Sequence, residues 1–132
     1  MNTATIKNWF LLDRPFESFS VEIKDYFRYF VLPANVRAQL FGETYNDSRH
    51  DPETGEFADG HRIHTRSLTS FVLKDELREA VTYNSVYTLE DIHSVYADWL
   101  AEQNYMIADT YFIYQNVDEE YPITTRKYCG GF

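Results

Sequence analysis

The chain has a single cysteine, Cys129, so no disulfide can form within its 132 residues. A lone thiol of this kind fits a reducing compartment. No apolar run approaches the roughly 18 residues that a membrane span requires, and no basic-then-apolar leader opens the sequence. The expectation is a soluble, cytoplasmic protein of one domain, long enough to bury a core without metals or disulfides. Catalytic signatures are missing as well. There is no G-x-S-x-G elbow, no glycine-rich phosphate loop and no Cys/His pair of convincing spacing. The reading is therefore a protein that is not an enzyme, with a nucleotide hydrolase left open. No cofactor is expected.

Positive charge is absent from one long stretch. Between Arg78 and Arg126 there is no Lys or Arg, while nine of the 21 acids lie there: Glu79, Glu90, Asp91, Asp98, Glu102, Asp109, Asp118, Glu119 and Glu120. The other twelve acids balance the twelve cations, so the net charge of -9 belongs wholly to that stretch. Phosphate contacts need cations, which argues against direct nucleic-acid binding there. A basic protein partner is compatible with it.

Aromatic residues are plentiful, at 17% with eleven Tyr and ten Phe, as suits sheet surfaces and contact faces. Residues 36 to 87 organise the rest. Val36, Ala38, Leu40, Gly42 and Thr44 alternate with Arg37, Gln39, Phe41, Glu43 and Tyr45, the period-two mark of a half-buried strand. Pro52, Gly55 and Gly60 punctuate the connection to a second run, His61–Leu73, and Ala80–Leu89 supplies a third. The expectation is a three-stranded antiparallel meander. Upstream, Ile6–Leu12 has strand length, and Phe19, Val21 and Ile23 alternate with polar neighbours as in a strand or extended arm. Asp25–Leu32, crowded with aromatics, leads into a turn at Pro33–Asn35, with a helical turn at Tyr26–Tyr29 left open.

Downstream, Thr88 followed by Asp91 resembles a capping box. Leu89, Ile92, Tyr96, Trp99 and Leu100 then form an apolar stripe at helical spacing to about Gln103, with Asn104 as its stop. Asp91, Asp98 and Glu102 would share the opposite face, where ordinary solvation is the plainer role. Tyr105–Gln115 is open between a second helix, preferred as a hairpin partner, and a strand favoured by Tyr, Phe and Ile. The class expected is α+β, an antiparallel sheet over residues 1–87, an acidic helical part over 88–115 and a tail over 116–132.

Two constellations are weighed and set aside. His61-x-x-His64 lies in strand-like sequence, where positions three apart point to opposite faces, and no third ligand is near. The acidic segment Asp51–Gly60 lacks the ligand spacing of a calcium loop because Pro52 and Phe57 interrupt it. No metal site is expected. The later strands are more suggestive, with His64, Arg66, Ser67, Thr82, Asn84, Ser85 and Tyr87. Arginine forks onto phosphate, aromatic faces stack on a base, and carboxamides read amide-like edges. An open sheet also shows such residues to water.

The pattern Leu40-x-Gly42-x-x-Tyr45-x-Asp47-x-Arg49, then Arg62-Ile63-x-Thr65-Arg66-Ser67, then Val81-Thr82-x-Asn84-Ser85-x-Tyr87-x-Leu89, then Asp98-Trp99-Leu100 resembles a group of small phage and prophage proteins. These are similar to the anti-Thoeris sponge family, which sequesters a signalling isomer of cyclic ADP-ribose. The resemblance spans about residues 40–100 and implies a homo-oligomer that binds a nucleotide messenger without cleaving it, in the host cytoplasm. By motif position it implies ligand contacts at Arg62, Arg66, Ser67, Asn84, Ser85 and Tyr87, with Arg126 reaching from the tail. The alternative is an acidic inhibitor whose Asp91, Asp98 and Glu102 mimic a polyanion and occupy a basic surface on a defence nuclease.

Overall fold

Asn2–Leu12 is the longest strand (β1), and the sheet is assembled on both its edges. After a single 3-10 turn at Phe16–Ser18 come α1 (Val21–Phe27), β2 (Gln39–Tyr45), β3 (Arg62–His64), β4 (Leu68–Lys74), β5 (Leu77–Thr82), β6 (Ser85–Leu89), α2 (Ser94–Glu102) and β7 (Thr110–Ile113). This is a computed structural model that describes residues 1–14, 16–27, 38–74, 76–105, 107 and 110–113. The sheet order is β3-β2-β1-β6-β5-β4-β7. Every neighbouring pair is antiparallel except β1 with β6, which run parallel. The α+β class and a largely antiparallel sheet are as expected.

The meander exists, but its members differ from those expected. The second run divides at Thr65–Ser67: its first part is β3 on β2, and its second part is β4 on β5. The third run is only half a partner for it, because a reversal at Tyr83–Asn84 separates β5 from β6. So β4, β5 and β6 form the meander, and β2 stands across β1 from it.

That topology forces the sheet to curl. In a flat sheet β3 and β4 would lie five strand spacings apart, about 24 Å at ~4.8 Å each. The chain from His64 to Leu68 spans at most about 14 Å when fully extended. Only a curled sheet closes the gap, and the closure is visible in hydrogen bonds. Leu68 N donates to Ala38 O at 2.8 Å, and Thr65 N donates to Leu40 O at 2.9 Å, while Leu68 also pairs with Thr82 of β5.

A bulge breaks β1 between Lys7 and Phe10, where Asn8 takes a left-handed φ of 53°. Asn8 N and Trp9 N both donate to Asp91 O, at 2.6 and 3.4 Å, and Trp9 Nε1 donates to Glu90 O at 2.8 Å. The bulge packs against β2 at Gly42, where an added Cβ would lie 2.7 Å from Ile6 Cγ2 and 2.9 Å from Lys7 O. Beyond it, Trp9, Phe10, Leu11 and Leu12 are all buried. Trp9 meets Phe71 edge-on at 5.5 Å and Tyr96 at 6.3 Å. Phe10 packs on Tyr26, His93 and Tyr96, and the Tyr96 hydroxyl donates to Leu11 O at 3.2 Å. Full burial pushes the Tyr96 hydroxyl pKa well above its ordinary value.

The segment expected as a strand at Phe19–Lys24 is instead the start of α1. Ser20 caps it, its Oγ accepting from Ile23 N at 3.3 Å. Phe19 and Ile23, four apart, are buried, whereas Val21 is 70% exposed. The period was four, not two.

The expected helix start also moves. Thr88 and Leu89 belong to β6, and α2 begins at Ser94 with His93 as N-cap, Nδ1 accepting from Val95 N at 3.2 Å. Burial pushes the His93 pKa down, which keeps the ring neutral and able to accept. Asn104 ends the helix as expected, with φ 55°. Tyr105 N reaches Leu100 O at 2.9 Å and Asn104 N reaches Ala101 O at 3.0 Å, the pair of bonds of a Schellman stop. After that reversal Thr110–Ile113 forms β7 on β4, not the second helix preferred from spacing. Tyr105–Gln115 therefore follows strand propensity in its described part. Phe71 and Val72 of β4 find their backbone partners in Phe112 and Tyr111.

Candidate functional site

The parallel register of β1 and β6 sets Asn2 against Ser85, Ala4 against Tyr87 and Ile6 against Leu89. Alternate residues share a face, so one face runs from Ile6 and Leu89 in the core to Asn2 and Ser85 at its end. There the curled sheet opens into a cavity of about 530 Å³, within the usual range for small-molecule sites. Asn2, Gln39, Arg49, Phe57, His64, Thr65, Arg66, Asn84, Ser85 and Tyr87 line it. No carboxylate is among these described lining residues, although the chain carries a net charge of -9.

Of the residues expected from sequence, Arg66, Asn84, Ser85 and Tyr87 come together at this cavity. Arg62 does not line it; its guanidinium lies 5.5 Å from the Tyr26 ring of α1. Ser67 is half-buried just beyond Arg66 and does not line it either. Arg126 lies outside the described residues. Asp98 and Glu102 are exposed on α2, but Asp91 precedes the helix, so the three carboxylates do not form one helical face.

Arg49 and Phe57 were not expected as site residues, and both come from the loop between β2 and β3. That loop is built from local bonds: Asn46 N to Asp59 Oδ1, Gly60 N to Thr44 O, Asp51 N to Glu56 O and Gly55 N to Asp51 O. Gly55 and Gly60 sit at φ 76° and 88°, where glycine costs little. At its root Asp47 is buried. Its oxygens accept from Arg49 Nε at 2.9 Å, Arg49 Nη2 at 2.8 Å, Arg49 N at 3.0 Å and Thr44 Oγ1 at 2.8 Å. Burial alone would raise the Asp47 pKa, but the bonds from Arg49 and Thr44 prevail and hold it below its ordinary value. Those same Asp47 bonds raise the Arg49 pKa, against a smaller effect of burial. The guanidinium carbon lies over the Phe57 ring, 4.0 Å from its centroid, and 5.8 Å from that of Tyr87. The Asp47-x-Arg49 spacing was visible in the sequence, but only folding brings Phe57 back across it.

The other wall is a network of amides and hydroxyls. Gln39 Nε2 donates to Thr65 O at 2.6 Å, and Thr65 Oγ1 accepts from Leu40 N at 3.0 Å while donating to Arg66 O at 2.8 Å. Gln39 Oε1 is buried with no hydrogen-bond partner among the described residues. Asn84 Oδ1 accepts from Thr82 Oγ1 at 3.3 Å and from Ser85 Oγ at 3.2 Å. The Arg66 side chain, by contrast, is exposed and makes no hydrogen bond or ion pair with another described residue. Among the described residues no group of three or more His, Cys, Asp or Glu could hold a metal ion, and no helix is long and apolar enough to cross a membrane. Compared with protein-family models, with curated proteins and with solved structures, the chain matches none.

Proposed function

We propose that the protein is a binding protein that sequesters a small cyclic nucleotide or cyclic ADP-ribose messenger intact, in the manner of a phage anti-defence sponge. One observation carries this reading. A strongly acidic chain has no carboxylate among the described lining residues of its 530 Å³ cavity and has there Arg66, Arg49, the rings of Phe57 and Tyr87 and the carboxamides of Asn2, Gln39 and Asn84. The Arg66 guanidinium meets phosphate, π faces meet a base, and amides meet the polar edge of the base or the oxygens of the phosphate. Holding a ligand needs affinity and abundance, and no nucleophile.

The test is thermal unfolding against a panel of cyclic nucleotides and cyclic ADP-ribose isomers. Binding to the native state alone adds about 2.7 kcal/mol at a hundredfold excess over Kd, a shift of several degrees. A shift with one compound, recovered unchanged after denaturation, supports sequestration. A cleaved product would make the protein a hydrolase, and no shift anywhere in the panel would remove the proposal.

A second reading draws on Glu22, Asp98 and Glu102, which flank one shallow groove between α1 and α2. Under it this acidic surface occupies a basic protein, with charge complementarity speeding association. Reversing Asp98 and Glu102 to Lys would then abolish function, whereas under the first reading it would leave ligand binding intact.

A further inference from the structure

The partners already taken by the cavity's polar side chains narrow the phosphate chemistry it can accept. Arg49 is committed. Its Nε and Nη2 hold both Asp47 oxygens, and its charge is cancelled by a carboxylate whose side chain is 0% exposed. Arg66 lines the same cavity without such a partner among the described residues. The described lining residues therefore carry one uncompensated permanent charge.

Among the neutral groups, Asn84 is held as a donor. Asn84 Oδ1 is occupied by the hydroxyls of Thr82 and Ser85, both residues 2% exposed. Those hydroxyls fix the carboxamide so that its Nδ2, with two N–H groups, is left for a ligand. A rigid amide donor beside one forked cation suits a group rich in acceptor oxygens and singly charged. A terminal phosphate dianion, with both charges on one phosphorus, would leave half its charge without a counter-cation in the described lining.

We infer that the cavity takes a phosphodiester, its non-bridging oxygens clamped by the Arg66 guanidinium and the Asn84 amide, and rejects a terminal phosphomonoester. This rests on the nucleotide reading above. The experiment is calorimetric titration of the full chain with the 3′,5′-cyclic phosphates, the 5′-monophosphates and the free nucleosides of adenine, guanine, cytosine and uracil. For the preferred base, the cyclic form should bind about tenfold or more tightly than its monophosphate and its nucleoside, the scale of one hydrogen-bonded charge contact. Arg66→Gln should bring the cyclic form down to the nucleoside, and Asn84→Ala should weaken the cyclic form while leaving the nucleoside unchanged. A monophosphate that binds as well as the cyclic form, or a nucleoside that does, would overturn the phosphodiester inference and leave nucleotide binding standing. Binding of cyclic ADP-ribose isomers but of nothing in this set would do the same. Binding of nothing in either collection would overturn both.

Discussion

The two halves of β1 face opposite demands. From Trp9 to Leu12 every side chain is buried, clasped by α1, α2 and Phe71 of β4. At the other end Asn2 lies beside Ser85 and Tyr87, at a cavity whose lining is mostly polar or charged. The bulge at Asn8 divides the two regimes, turning the strand from β6 toward the segment Glu90–Ile92. One end is filled and gains its stability from apolar burial. The other keeps polar groups held in place by bonds to their neighbours and leaves space between them. A fold that could have closed its sheet with more aliphatic packing instead spends Asp47, Thr65, Thr82 and Ser85 on orienting other side chains.

Changes at the filled end should cost the most stability and touch binding least. Phe71→Ala removes a ring with 0% exposure that meets Trp9. It should cost about 3–5 kcal/mol, read as a fall in the urea midpoint. If the cost were near zero, the helix-covered end would not be where the fold is anchored.

Asp47→Asn probes the boundary between the regions. It weakens the bonds to Arg49 and Thr44 and should cost about 2 kcal/mol, less than a fully buried pair because Arg49 is partly exposed. The pH dependence has a definite sign. Because folding lowers the Asp47 pKa, its stabilisation is present above the unfolded-state value and lost as pH falls through the folded value. Wild type should lose stability on that acid limb more steeply than Asp47→Asn. The substitution also frees the Arg49 charge, so the preference for cyclic over terminal phosphate should shrink. A preference unchanged in this variant would mean that Arg49 is not electrically silent in the wild type.

A smaller effect is expected at the helix stop. Asn104→Val forces a β-branched residue to φ 55° and should cost about 1 kcal/mol or somewhat more by thermal unfolding, with Asn104→Gly near neutral. The smallest stability change is expected at Arg66, exposed and unpaired among the described residues. Arg66→Gln should move stability by within about 0.5 kcal/mol while abolishing the charge-dependent part of binding. A substitution that is silent in folding and severe in binding is what separates the two ends.

The sequence made these regions legible to different degrees. The strand read from alternation over 36–45 is present in its described part, Gln39–Tyr45, although its first four residues are all buried, and the left-handed stop at Asn104 is present too. The segments that misled were those whose local pattern had two solutions. Phe19 and Ile23 fit period two and period four alike, and Thr88 and Leu89 fit a helix start until β1 takes them as a parallel partner. The break of the second run at Thr65–Ser67 has no glycine or proline to announce it; it is set by the curl of the sheet. Arg66, Asn84, Ser85 and Tyr87 could be singled out by residue type and spacing. Phe57 could not, because its place over Arg49 depends on the folded path of the whole loop.

The most direct test of the central claim is to follow the side-chain amide resonances of Asn84, Asn2 and Gln39 by NMR during titration with the panel compound that gives the largest thermal shift. Binding in the cavity predicts that these three move together and saturate at one Kd, and that Arg66→Gln suppresses the response. Shifts confined to α2 around Asp98 and Glu102, with the three amides still, would contradict it.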